Sequence, residues 1–147
     1  MNTPKIKVYV AGPFFHNGER ERIEKVRQCF SHKPGYELFF PMDHFIENGD
    51  TLSNWEWGKE VFKMDTKAID ESELIVAIYD KHYSDSGTAW EIGYAYSKGI
   101  PIILLCTSLE EDNSIMPIVC ADCVYDFEKF VNDEYFEFDT SKINCLK

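Results

Sequence analysis

The feature that most limits what this chain can become is the alternation of short β-branched runs with longer amphipathic stretches. Residues 6–10 read Ile-Lys-Val-Tyr-Val and stop at Ala11-Gly12-Pro13; residues 36–40, 74–79, 102–106 and 123–125 are similar runs. Between them, residues 19–31 carry Ile23, Val26 and Phe30 on one helical face, and residues 55–72 and 88–98 also read as helices. Gly99 is placed to end the last of these as its C′ residue. Residues 42–54 form a polar connection. Strands separated by helices predict an α/β fold, a flavodoxin-like, doubly wound sheet of about five mostly parallel strands with helices on both faces. No repeat or low-complexity tract divides the chain, so residues 1–147 are expected to form one domain. In such sheets the ligand sits beyond the carboxyl ends of the strands. That rule singles out residues 11–18, 41–54 and 80–87.

Charge narrows the partners. The 147 residues hold 15 Lys and Arg against 26 Asp and Glu, a net charge of −11. Such a surface repels phosphate backbones and anionic lipid, so neither nucleic acid nor a membrane is expected as a partner. The longest apolar run, residues 100–106, is far too short to cross a bilayer. Five cysteines, an odd number, and an N-terminus that runs straight into a strand point to a reduced, cytoplasmic protein. Cys120 and Cys123 have the spacing of a redox pair but do not open a helix after the first strand, so both read as structural. His16, His32, His44 and His82 lack metal-ligand spacing. His44, in a ligand-facing loop, is the only one retained as a candidate.

The chemistry concentrates in Asp85-Ser86-Gly87-Thr88-Ala89-Trp90-Glu91. Glu91 is expected in the first turn of a helix at a strand's carboxyl end, where the helix dipole favours an ionised carboxylate. An ionised carboxylate can attack an electrophilic carbon. The competing reading makes Thr88-x-x-Glu91 a capping box, with Glu91 merely satisfying an orphan N–H. Asp65 lies on a stripe with Val61, Phe62, Ala68 and Ile69, an unusual place for a carboxylate. Partial burial would raise its pKa and let it hold a proton for a leaving group. Its bland alternative is a buried aspartate capping a neighbouring loop. Tyr9, at the end of the first strand, either orients a carboxylate or is a half-buried core tyrosine. Gly12 is a lone turn glycine without a phosphate-binding fingerprint.

The segment Asp85 to Ala95, with Asp65 before it and Tyr9-Val10-Ala11-Gly12-Pro13-Phe14 at the start, resembles the nucleoside 2-deoxyribosyltransferase family. The resemblance covers about residues 5–105 and continues weakly through Asn113-Ser114-Ile115-Met116. It implies a double displacement that moves a 2-deoxyribosyl group between nucleobases, without metal or organic cofactor. Glu91 matches the nucleophile, Asp65 the aspartate that protonates the base, and Tyr9 the tyrosine that holds the nucleophile. Asp85 matches the aspartate near the 5′-hydroxyl. Gly12, Phe14, Ser86, Gly87 and Met116 fall in the matching substrate-binding segments. Asn113, or equally Ser114, matches an asparagine supplied across a subunit interface, which implies a homo-oligomer with an interface-completed site. The partners implied are deoxynucleosides and free nucleobases.

Two departures stand out. Where the family has a base-contacting amide, the chain reads Pro41-Met42-Asp43-His44-Phe45, which brings Asp43 and His44 forward as base contacts. The ending Cys145-Leu146-Lys147 does not match the terminal carboxylate some members place near the site. The runner-up activity is hydrolysis of deoxynucleoside 5′-monophosphates by the related N-glycosidases. That subgroup has a phosphate-binding serine where this chain has Asp85, with Ser86 one residue off. A non-catalytic flavodoxin-like nucleotide-binding module is a third possibility. A receiver domain is excluded, because Ala11-Gly12-Pro13 replaces its acidic pair and Tyr125-Asp126 its lysine.

Overall fold

Five parallel strands, β1 (Ile6–Ala11), β2 (Tyr36–Phe39), β3 (Leu74–Tyr79), β4 (Ile102–Cys106) and β5 (Cys123–Asp126), form one sheet in the order β2-β1-β3-β4-β5. This computed structural model describes residues 3–80, 85–108 and 114–133. All four strand pairings are parallel, which is the doubly wound, flavodoxin-like arrangement expected from the alternation. All six residues of the central strand β3 are buried, the signature of a strand covered on both faces.

Successive strand residues point to opposite faces, and each face builds its own core. Val8, Val10, Val76, Ile78 and Leu105 pack with Ile23, Val26 and Phe30 of α1 (Asn17–Ser31) and with Phe127 and Phe130 of α5 (Phe127–Val131). On the other face Tyr9, Ala11, Ile75, Ala77 and Leu104 meet Ala68 and Ile69 of α2 (Asn54–Asp70) and Ile92 and Ala95 of α3 (Ser86–Ser97). Cys123 belongs to the first core, whereas Cys120, at the end of α4 (Ile115–Cys120), packs against the second. The sheet thus separates the two thiols of the apparent redox pair, in keeping with a structural role.

Helix starts depend on side chains that spacing alone placed a few residues late. His16 accepts from the Glu19 N–H (3.3 Å) while Glu19 takes back the His16 N–H (3.2 Å), so α1 begins at Asn17. Ser53 and Glu56 close the same reciprocal box ahead of α2. The short helices α4 and α5 were not expected from the sequence, since six and five residues are too few to display a helical period. Within the polar connection the chain makes two single 3₁₀ turns, Pro41–Asp43 and Gly49–Thr51.

Gly99 follows α3 with φ +72° and nothing within 4 Å of the position a Cβ would take. The Ile100 N–H returns to the Ala95 carbonyl (3.0 Å) and closes the helix end. Gly99→Ala is therefore expected to cost about 1 kcal/mol through backbone strain alone, measured by denaturant unfolding, with no new clash and no change at the site.

Candidate active site

The order of strands places the topological switch between β1 and β3, and the chemically capable side chains gather at that end of the sheet. Tyr9 is fully buried, on the face covered by α2 and α3. Its hydroxyl donates to Glu91 Oε2, joining β1 to α3 across the core. Asp65, on α2, completes the group: its Oδ1 is buried and has no hydrogen-bond partner among the described residues. Tyr94 of α3 donates to Asp70 Oδ1 (2.8 Å), and Trp90 packs on Phe62, so α3 and α2 are tied together on either side of the carboxylates.

The expected Thr88–Glu91 capping box does not form. Asp85 is the residue before α3, in extended conformation, and its Oδ2 accepts from both the Thr88 N–H and the Thr88 hydroxyl (2.8 Å each). An aspartate three residues ahead of Thr88 takes the orphan donor first. The helix therefore opens at Ser86, and Glu91 falls in its second turn, relieved of capping. This observation removes the capping reading of Glu91, whose partner is Tyr9 and not a helix terminus.

The electrostatics follow from burial. Desolvation lifts the Glu91 carboxyl from 4.5 to about 7; the Tyr9 hydrogen bond opposes the rise, and the Asp65 and Asp85 charges add to it. Burial likewise raises Asp65 from 3.8 to about 6, partly countered by His44. Tyr9 is pushed well above its ordinary value, by burial first and then by the Glu91 and Asp65 charges, so it remains a donor. The site holds two carboxyls raised toward neutrality, and because Glu91 feels the Asp65 charge their protons belong to the pair rather than to either residue.

The remaining expected residues are distributed around this centre. Ser86 and Gly87 open α3; a Cβ on Gly87 would lie 3.2 Å from Asp85 Oδ2. Gly12 passes close to β3, where a Cβ would meet Ile78 at 3.3 Å. Phe14 is half-buried and stacked on the exposed Phe15 (6.0 Å), and Arg20 fixes both carbonyls. His44 stacks flat on Phe39 (4.2 Å, 8°), which stacks on Tyr9 (5.6 Å, 14°). Asp43 spends both oxygens on Arg27 (2.7 and 2.8 Å). Met116 is exposed on α4, and the Ser114 N–H donates to the Tyr79 hydroxyl (3.2 Å). Asn113 lies outside the described residues. Phe62, expected on a buried stripe, is half-exposed because it covers Trp90 rather than the sheet. Sequence reasoning missed Phe39, Phe40 and Arg27, whose contacts join segments distant in the chain and leave no local pattern.

The switch point of this flavodoxin-like sheet carries a tyrosine-held carboxylate and a second carboxylate with a buried oxygen, at the end where α/β sheets of this class bind their ligands. Residues 8–133 match the family model described as nucleoside 2-deoxyribosyltransferase, and the chain belongs to that family. It is 27% identical to a nucleoside deoxyribosyltransferase of Limosilactobacillus fermentum over 67% of this chain and 64% of that one. It is 35% identical to an uncharacterized protein of Ureaplasma parvum serovar 3 over 61% of this chain and 59% of that one. The matched region thus spans about three fifths of these relatives' length. A 2-deoxyribosyltransferase structure from Bacillus psychrosaccharolyticus superposes with TM-score 0.72 at 26% identity, covering 93% of this chain and 95% of that one. A CMP N-glycosidase from Clostridium botulinum shares the fold at TM-score 0.60 and 23% identity, covering 85% and 93% of the two chains. No helix among the described residues is long and apolar enough to cross a membrane.

The raised carboxyls have a stability consequence. Between the unfolded pKa near 4.5 and the folded value of about 7, the folded state holds the extra Glu91 proton, so this group's contribution falls as pH rises through that window. By pH 8 the loss is on the order of 3 kcal/mol. Glu91→Gln, which leaves Tyr9 an oxygen to donate to, is expected to raise Tm at pH 8 and leave it unchanged at pH 4. An equal shift at both pH values would show that Glu91 is ordinarily solvated.

Proposed function

We propose that this protein transfers a 2-deoxyribosyl group between nucleobases by double displacement through a covalent deoxyribosyl-glutamate. The observation that supports this most directly is Glu91 itself: free of capping, half-buried, and oriented by Tyr9 near Asp65, whose Oδ1 is buried. In the first half-reaction a Glu91 oxygen bonds to C1′ as the C1′–N bond breaks, its electron pair leaving with the base. Asp65 delivers the proton to that base. In the second half, a nitrogen of an incoming base attacks C1′, the glutamyl ester breaks, and Asp65 recovers a proton. Retention follows from two inversions, as in retaining glycosidases. Asp85, Ser86 and Gly87 face the sugar's 5′ end; Gly12, Phe14 and His44 line the base side, with Asp43 behind His44. No cofactor is needed for this scheme.

The reading extends to a homo-oligomer whose second copy completes the site through Asn113 or Ser114, with Met116 beside them. Supporting it, Phe62, Trp90, Ile115, Met116 and Val119 leave large apolar surfaces exposed on α2, α3 and α4. A sedimentation mass of a single chain would remove this part.

Hydrolysis of a nucleoside 5′-monophosphate is the second reading, favoured by Ser86 at the opening of α3, where helix N–H groups suit an anion. Against it stands the Asp85 carboxylate at the same place. Two unit charges about 4 Å apart repel by roughly 4 kcal/mol at an effective dielectric near 20, so discrimination of at least ~10² against the monophosphate is expected after screening.

The test is chromatography of a deoxynucleoside and a different free base incubated with the protein. A new deoxynucleoside is the expected product, with kcat/KM for the free nucleoside well above that for its monophosphate. Base-independent cleavage of the monophosphate would instead establish the hydrolase. Glu91→Ala is expected to fold and lose transfer by several orders of magnitude, and intact mass should reveal a deoxyribosyl adduct on wild type only. Asp65→Asn should lose roughly 10²–10⁴-fold with ordinary bases and little with a leaving group that needs no proton.

A further inference from the structure

Thr88 is buried, 3% exposed, and a buried hydroxyl needs a partner. Its partner is Asp85, the residue that caps α3: Oδ2 takes the Thr88 hydroxyl and the Thr88 N–H together, at 2.8 Å each. The N–H bond by itself satisfies the helix end, so the hydroxyl bond is surplus to capping. Its effect falls on the carboxylate. Two donors from one residue converge on a single oxygen and fix how the group is turned, whereas the amide alone would leave the side chain free to swing. Oδ1 is left with no hydrogen-bond partner among the described residues, on a side chain that is half-buried.

Gly87 protects the same pose. Its backbone has no positive φ and so does not itself call for glycine. The space beside it does: a Cβ there would lie 3.2 Å from Asp85 Oδ2, closer than ordinary van der Waals contact, and would push the carboxylate off the Thr88 donors.

Asp85, Thr88 and Glu91 follow one another at intervals of three, so they run along one side of α3, which buries Thr88, Ile92 and Ala95. At about 1.5 Å per residue, Asp85 and Glu91 stand about 9 Å apart along the axis. A pentose fits that span, with an attacking oxygen about 3 Å from C1′ at one end and a hydrogen bond about 2.7 Å long at the other.

We propose that Thr88, with Gly87, is a positioning residue for the 5′ end of the sugar: it turns Asp85 so that one oxygen stays on the helix and the other is presented to the 5′-hydroxyl. The proposal rests on the deoxyribosyl-transfer reading, in which Asp85 faces that hydroxyl and Glu91 attacks C1′. A hydroxyl donating to Oδ1 supplies the donor this oxygen lacks, and a bond to an ionised acceptor is stronger than one between neutral groups. A sugar without the hydroxyl leaves the oxygen unpaired in the complex, which is how such a site rejects the analogue.

The experiment measures kcat/KM for a 2′-deoxynucleoside and for its 2′,5′-dideoxy analogue carrying the same base, so that events at the base cancel in the ratio. Wild type is expected to prefer the hydroxyl-bearing donor by at least about tenfold. Thr88→Val keeps the shape and the N–H cap and removes only the hydroxyl bond. It should slow the hydroxyl-bearing donor roughly tenfold, leave the dideoxy donor within about threefold, and so erase most of the preference. Thr88→Ser restores a hydroxyl and should restore the ratio. Gly87→Ala places a better helix former at an exposed position, so Tm should not fall while the ratio narrows, and this variant carries the test should Thr88→Val not fold. Both donors slowed alike, with the ratio unmoved, would reduce Thr88 to a structural hydroxyl and overturn the proposal. Wild type that handles the two donors equally removes Asp85 from the 5′ end and the proposal with it. Wild type active on neither donor overturns the transfer reading beneath both.

Discussion

The hydrogen bond from Tyr9 to Glu91 is the contact on which the site's organisation depends. It crosses from a central strand to a helix and joins the fully buried Tyr9 to the half-buried Glu91, where a carboxylate drawn out of water is costly unless a donor meets it. The donor's own ionisation is suppressed by the same burial and by the carboxylates around it. The pair therefore keeps fixed roles, phenol as donor and glutamate as acceptor. Around that polarity stand Asp65, whose buried Oδ1 has no hydrogen-bond partner among the described residues, and Asp85, which binds Thr88 and so sets where α3 starts.

Two cores, one on each face of the sheet, give the site different kinds of support. The face of α1 and α5 contributes apolar packing from Val8, Ile23, Val26, Phe30 and Phe127, and sends Arg27 to Asp43 just past the end of β2. The face of α2 and α3 carries Tyr9, Asp65 and Glu91 on a strand and two helices, with Tyr94–Asp70 and Phe62–Trp90 tying the helices together. A constellation built on strands and helices holds its geometry better than one built on loops, and a raised carboxyl is tolerable only where the surrounding core supplies the stability it forfeits.

Much of the architecture was legible in the residues. Short β-branched, apolar runs located the five strands and period-3.6 patterning the three long helices, and Gly99 marked its helix end, because burial against the sheet imposes those patterns directly on the sequence. The short α4 and α5 and the true starts of the helices were not legible, since six residues show no period and a cap is chosen by local competition. At the start of α3, Thr88 and Glu91 had the right spacing for a box, but Asp85 was nearer in conformation and won the Thr88 N–H.

The sequence by itself determined the layered α/β sheet, the end of it where sheets of this class bind ligands, and the residue types that gather there, because hydrophobic patterning and chain connectivity are local properties. Only the tertiary structure decided what those residues can do. Tyr9, Asp65 and Glu91 come from three separate elements, and the burial that raises two carboxyls toward neutrality is supplied by side chains dozens of residues away. Whether a glutamate caps a helix or faces a tyrosine, and whether Asp43 is open to a ligand or held by Arg27, depends on which groups folding brings within about 3 Å. A pKa is set by solvent exclusion and neighbouring charge in three dimensions, and neither is written in the order of the chain.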